Sequence, residues 1–97
     1  MLDVISEDRF ELKDQQSMIL ALAMVRRRLL ELGLSALMIS KLLTVSSELS
    51  VNVLKYANRG TLFLKQLKKA QKRGLQISVV DEGPGIADVE KALQDHF

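Results

Sequence analysis

The chain has 97 residues, which is enough for one domain and too few for two. A chain of this size buries roughly 60–65% of the surface that its unfolded form exposes, so its core is modest. Hydrophobic residues make up 47% and charged residues 27%, which is the composition of a folded globular protein. The net charge is only +2, which argues against a concentrated basic surface for nucleic acid.

The sequence contains no cysteine and a single histidine, His96. Disulfide scaffolds, thiolate zinc sites, cysteine nucleophiles, histidine-dependent triads and multi-histidine metal sites are therefore excluded within one chain. No apolar run reaches the roughly 18–20 residues of a membrane helix, and Met1 is not followed by the pattern of a signal peptide. We expect a cytoplasmic protein that does not bind a membrane.

The N-terminal half predicts a strand followed by two helices. Residues 2–13 alternate weakly and predict a short strand or a pair of strands. Asp14 is a plausible N-cap for a helix that ends at Leu32, and Gly33 supplies the C′ residue. Ser35 can cap a second helix, which ends at about Tyr56 or Ala57. Its apolar stripe recurs in steps of three or four residues (Met38, Leu42, Val45, Leu49, Val53).

The C-terminal half predicts a hairpin and a short helix. Residues 61–68 and 75–80 predict two strands, joined by a turn at residues 71–74 with a basic tip. A loop begins at Asp81, and residues 88–95 predict a short helix. The fold class is therefore α+β.

One edge of the second helix is polar. At about 100° per residue, this edge spans an arc of about 80° and includes Lys41, Thr44, Glu48, Asn52 and Lys55. It presents a carboxylate, an amide and two amines. A solvated helix face stabilised by contacts between residues four apart is the simpler interpretation.

The loop that starts at Asp81 follows an apolar strand and contains Gly83, Pro84 and Gly85. Two glycines around a proline permit a sharp turn and the close approach of a flat ligand. A buried aspartate at a strand end could accept a hydrogen bond from an exocyclic amino group. A plain turn with Asp81 as a local cap is the alternative interpretation.

Together, the two motifs make the chain resemble the GHKL (Bergerat-fold) ATP-binding family. The segment SELSVNVLKYA at 47–57 looks like its N box (48–56), and DEGPGI at 81–86 looks like its G1 box. The likeness is strongest to the small serine kinases that control bacterial sigma factors and the stressosome. It implies one domain over residues 1–97, a two-layer sandwich with an antiparallel or mixed sheet and helices on one face.

The resemblance implies a role for each matched residue. Asn52 would hold the Mg²⁺ that bridges the ATP phosphates, and Glu48 would act as, or orient, the catalytic base. Lys55 would lie near the phosphates. Asp81 would accept from the adenine amino group, while Gly83 and Gly85 would let the backbone lie against the base.

The chain departs from the family pattern after Phe97, where the glycine-rich G2 lid would follow. We therefore expect a C-terminally truncated domain in which ATP binding and phosphoryl transfer are impaired. The strand at 75–80 would have lost its partner, and its bare apolar edge would pair with another copy to form a homodimer.

The resemblance implies a kinase that phosphorylates a serine on an antagonist protein with a STAS domain and then activates a PP2C-type phosphatase. The alternative is a module of the same fold that docks to these partners without catalysis. A third hypothesis is nucleic-acid binding through the basic tip at 65–73, which the lack of interleaved aromatic residues disfavours.

Overall fold

The computed structural model describes residues 2–81 and 89–94. Their secondary structure is four strands and two helices. In chain order these are β1 (Asp3–Leu12), α1 (Gln15–Glu31), α2 (Ala36–Tyr56), β2 (Gly60–Lys69), β3 (Lys72–Asp81) and β4 (Val89–Gln94).

The strands form one antiparallel sheet in the order β1-β2-β3-β4. Side chains of alternating residues point towards the helices, including Leu62 and Leu64 of β2 and their partners Val79 and Ile77 of β3. Both helices pack on this face, which confirms an α+β architecture with helices on one side of an antiparallel sheet.

Strand β1 is one continuous element rather than a pair of strands. Its register with β2 shifts between Val4 and Ser6, because Ile5 is an extra residue in the ladder. This irregularity explains why the alternation of polar and apolar residues in the sequence is weak. Beyond it, Phe10 and Leu12 face the core.

Helix α1 begins and ends where its capping residues predict. The Asp14 carboxylate accepts a hydrogen bond from the backbone N–H of Ser17 at 2.7 Å, and the Ser17 hydroxyl accepts from the Asp14 N–H at 3.0 Å. At the other end Gly33 has φ +79°, and Leu34 N–H donates to the Leu29 carbonyl. This Schellman arrangement brings the buried side chains of Leu34 and Leu29 into the same core.

Helix α2 is the central element of the helical layer. The Ser35 hydroxyl accepts from Met38 N–H at 3.2 Å and starts the helix. Six of its residues are buried, four of them large and apolar and two of them serine. The buried set is Ile39, Leu42, Ser46, Leu49, Ser50 and Val53.

An 18-residue window of α2 has a mean hydropathy of 1.3, so by length and composition alone this helix could span a membrane. The central helix of a soluble protein meets the same criterion. In this fold α2 packs its apolar face against the sheet, and charged residues lie on its opposite face. That packing accounts for the apolar composition.

The connection between β2 and β3 differs from the sequence prediction. Lys69 pairs with Lys72, so only Ala70 and Gln71 form the turn, and the predicted turn at 71–74 is wrong. Ala70 adopts the left-handed conformation with φ 55° that such a tight connection needs. Gly74 lies within β3, opposite Leu67.

The predicted helix at 88–95 is also wrong over the described residues, because 89–94 form β4. Residues 89–94 (VEKALQ) favour a helix locally. The edge of β3 nevertheless offers a row of backbone donors and acceptors, and β4 satisfies them from Leu75 to Val80. The predicted bare edge at 75–80 is therefore covered, and the predicted homodimer through that edge loses its basis.

Gly60 lies where α2 approaches the sheet closely. A Cβ added there would be 2.6 Å from Val53 Cγ1 and 2.6 Å from the Val80 carbonyl oxygen. Gly60→Ala is therefore expected to lower the free energy of unfolding by about 1–3 kcal/mol, as measured by urea denaturation.

The matched control is Gly33→Ala, where an added Cβ meets nothing within 4 Å and only the positive φ opposes it. That substitution should lower the free energy of unfolding by about 1 kcal/mol, the cost of the left-handed conformation for a residue with a Cβ. Adding Val53→Ala to Gly60→Ala should relieve one of the two collisions. The close approach would be contradicted if Gly60→Ala and Gly33→Ala lowered the free energy of unfolding equally and Val53→Ala did not change the effect of Gly60→Ala.

The hydrogen bonds from Ser17, first from its backbone and then from its side chain, hold the pKa of Asp14 below its ordinary value of 3.8. The ionised cap therefore stabilises the fold fully above pH 3.8, and this contribution is lost as the pH falls below 3.8 through the folded pKa. The difference in thermal midpoint between wild type and Asp14→Ala should shrink over that range. The control is Asp14→Asn, whose amide oxygen caps the helix without titrating, so its thermal midpoint should differ from that of Asp14→Ala by the same amount at every pH. If the difference between wild type and Asp14→Ala were also independent of pH, the role of the ionised Asp14 would be refuted.

Candidate functional site

The polar edge of α2 faces away from the sheet. Glu48, Asn52 and Lys55 are all exposed, whereas Leu49 and Val53 lie on the buried side. The helix thus separates side chains available to a ligand from those that hold α2 in place. All three polar residues are exposed to solvent, as the polar edge of the helix predicts.

Two residues of this edge already have contacts within α2. The Lys55 ammonium lies 5.3 Å from the centroid of the Tyr56 ring, a cation–π distance. The Thr44 hydroxyl donates to the Ser40 carbonyl at 2.9 Å. The side chains of Glu48 and Asn52 make no hydrogen bond or ion pair within the described part of the chain, so both can engage a ligand.

Asp81 ends β3 and is buried, with 9% of its surface exposed. It pairs in register with Gly60, and Gly60 in turn lies against Val53 of α2. The end of β3 therefore meets the C-terminal half of α2 around a single glycine. Gly83 and Gly85 lie outside the described residues.

Two grooves open along the surface of the helical layer. Glu48 lies in one of about 630 Å³, formed between α1 and α2, with Arg26 on its other wall and Leu22 and Leu43 in its lining. Lys55 lies in the other, of about 520 Å³, which includes the start of α1. Among the described residues, neither Asn52 nor Asp81 lines either groove. The sequence-predicted site is thus spread over two grooves, one exposed helix position and one buried strand end.

No three acidic or histidine side chains cluster to bind a metal ion within residues 2–81 and 89–94. Asn52 offers one amide oxygen. A Mg²⁺ ion here would need phosphate oxygens and water for its remaining ligands, which is how this ion usually binds in nucleotide sites.

Two features around the site were not predicted from the sequence. Arg26 lies across the groove from Glu48, a pairing that only the packing of α1 against α2 creates. Ser46 and Ser50 are buried one turn apart; the Ser46 hydroxyl donates to the Leu42 carbonyl at 2.7 Å, and Ser50 Oγ has no hydrogen-bond partner among the described residues. The sequence contained a signal for the two serines, because Ser46 and Ser50 lie four residues apart on the apolar face of α2, where small residues permit close packing.

A comparison with curated proteins found the serine/threonine-protein kinase RsbT of Bacillus subtilis (strain 168), which is 37% identical over 67 residues. The match covers 69% of this chain and 50% of the relative, so the chain spans about half the length of the kinase it matches. No family model matches, and no solved structure matches. The chain is therefore related to RsbT-type proteins.

If Glu48 and Asn52 serve a ligand rather than the fold, their replacement should leave stability nearly unchanged. Glu48→Gln and Asn52→Ala are each expected to alter the free energy of unfolding by less than about 0.5 kcal/mol. Val53→Ala, a neighbour on the buried face, should lose about 2 kcal/mol. Urea denaturation of the three variants is the measurement, and a loss at Asn52 comparable with that at Val53 would show a structural role instead.

Proposed function

We propose that the chain is part of an ATP-dependent protein-serine kinase of the GHKL switch class. The observation that carries the proposal is its relation to RsbT, a serine/threonine-protein kinase. The exposed pair Glu48 and Asn52, one turn apart on α2, supports it, and so does the buried carboxylate of Asp81 at the end of β3.

The donor set fits a magnesium nucleotide. Asn52 would supply an amide oxygen to Mg²⁺ from an exposed helix position, and Asp81 would accept from the adenine amino group. Bound Mg²⁺ would neutralise charge on the phosphates during transfer. Lys55 would need to leave the Tyr56 ring to reach a phosphate, which costs little because both side chains are exposed.

Glu48 is proposed as the base that takes up, or orients, the proton of the attacking serine hydroxyl. It projects into the groove between the helices, where a substrate side chain could reach it. Arg26 on the opposite wall would favour a negatively charged group in the same groove.

The substrate proposed is a STAS-domain antagonist protein, with a PP2C-type phosphatase as second partner in a cytoplasmic stress or sigma-factor pathway. Both come from the resemblance of the N-box and G1-box residues to the switch kinases. The relation to RsbT supports this pathway in general terms.

The alternative is a docking module of the same fold that does not bind ATP. The distribution of the site favours this alternative, since Glu48 and Lys55 line separate grooves and Asn52 and Asp81 line neither among the described residues. Calorimetric titration with Mg·ADP separates the two functions. Binding that is weakened by Asn52→Ala and by Asp81→Asn supports the kinase, whereas no heat at millimolar nucleotide leaves the docking module.

Phosphoryl transfer tests the role of Glu48. With radiolabelled ATP and a purified STAS-domain protein, Glu48→Gln should reduce the transfer rate by about 100-fold or more while nucleotide affinity stays within about twofold. The control is Glu31→Gln, an exposed carboxylate at the end of α1. Transfer that survives Glu48→Gln would rule out Glu48 as the base.

A further inference from the structure

The outward face of α1 is unusually apolar for a helix on the surface. Four of its large side chains are exposed by 42–64%, namely Ile19, Leu20, Met24 and Leu30. At about 100° per residue they fall on one side of the helix, opposite the buried Ala21, Val25 and Leu29. Contiguous exposed apolar surface of this kind marks an interaction site more often than isolated side chains do.

Two cations share this side of α1: at about 100° per residue Arg27 lies within the apolar strip and Arg26 at its margin. Arg26 and Arg27 are exposed and make no ion pair within the described part of the chain. Arg28 next to them differs, since it pairs with Asp8 at 3.3 Å and with Glu31 at 3.9 Å. Glu31, the one carboxylate of α1, lines a groove with Arg27 and Met24, and with three arginines on the helix α1 keeps a net positive charge.

The charge of the face determines which occupant fits. A second copy of the chain would bring two α1 helices together, each with three arginines and one carboxylate, and the repulsion between their like charges is unfavourable. A partner that presents carboxylates beside an apolar stripe would pair the arginines and bury the exposed side chains together.

We propose that the outward face of α1 is a docking surface for an acidic, amphipathic segment of a partner protein. The apolar residues of the segment would cover Leu20 and Met24, and its carboxylates would pair with Arg26 and Arg27. This inference does not rest on the proposed kinase function, because none of these residues holds nucleotide in that proposal. Arg26 also lines the groove of Glu48, so a docked segment would lie beside that groove.

The test uses a fluorescent helical peptide with a leucine stripe flanked by glutamates. The matched peptide has glutamine in place of every glutamate. Fluorescence anisotropy should show that the acidic peptide binds the wild-type protein and that the matched peptide binds at least about tenfold more weakly. Backbone amide shifts on binding should be confined to α1 and the residues beside it.

Variants of the protein assign the surface. Two variants should each lower the affinity for the acidic peptide by about tenfold. One is the double variant Arg26→Gln with Arg27→Gln, and the other is Leu20→Gln. The control is Lys69→Gln with Arg73→Gln, which removes the same charge at the far end of the β2–β3 hairpin and should leave affinity unchanged. All these residues are exposed, so circular dichroism should show intact folds.

Several results would overturn the proposal. Failure of the wild-type protein to bind the acidic peptide, or an equal loss with the control variant, would remove the surface as a specific site. A concentration-dependent dimer in sedimentation that Leu20→Gln abolishes would assign the face to a second copy. Binding to phosphatidylserine vesicles that requires Arg26 and Arg27, without peptide binding, would assign it to a lipid surface.

Discussion

The close approach of α2 to the sheet at Gly60 is the constraint on which the rest of the structure depends. Val53 Cγ1 and the Val80 carbonyl oxygen occupy the space that any larger residue would need. This contact fixes the distance between the helical layer and β2 and β3. It also sets Asp81, the register partner of Gly60, beneath the C-terminal half of α2.

Because α2 packs against the sheet on one side only, one of its faces is buried and the other is exposed to solvent. The side towards the sheet contributes Leu42, Leu49 and Val53 to the core, and serines allow the helix to pack closely at Ser46 and Ser50. The opposite side carries the exposed Glu48, Asn52 and Lys55, which take no part in the hydrophobic core. A helix that is packed on one face is rigid, so side chains on its other face are held in defined positions, as a binding site requires.

Backbone hydrogen bonding explains where local sequence preference failed. Residues 89–94 favour a helix by composition, yet they form β4 because β3 would otherwise leave a row of donors and acceptors unpaired. Similarly, Gly74 suggests a turn, but the ladder between β2 and β3 continues past it and closes only at Ala70 and Gln71. In both cases pairing between strands outweighs the preference of a short segment.

The sequence by itself determined the α+β class, both helix starts through Asp14 and Ser35, and the placement of Glu48, Asn52 and Lys55 on one helix face. These features depend on contacts within a few residues, which periodicity and capping residues report directly. Only the tertiary structure decided that Arg26 lies across a groove from Glu48 and that β4 covers the edge of β3. The same is true of the close packing of α2 against the sheet at Gly60. Each of these joins residues far apart in the chain, and their meeting depends on how the helical layer and the strands pack, which no local pattern specifies.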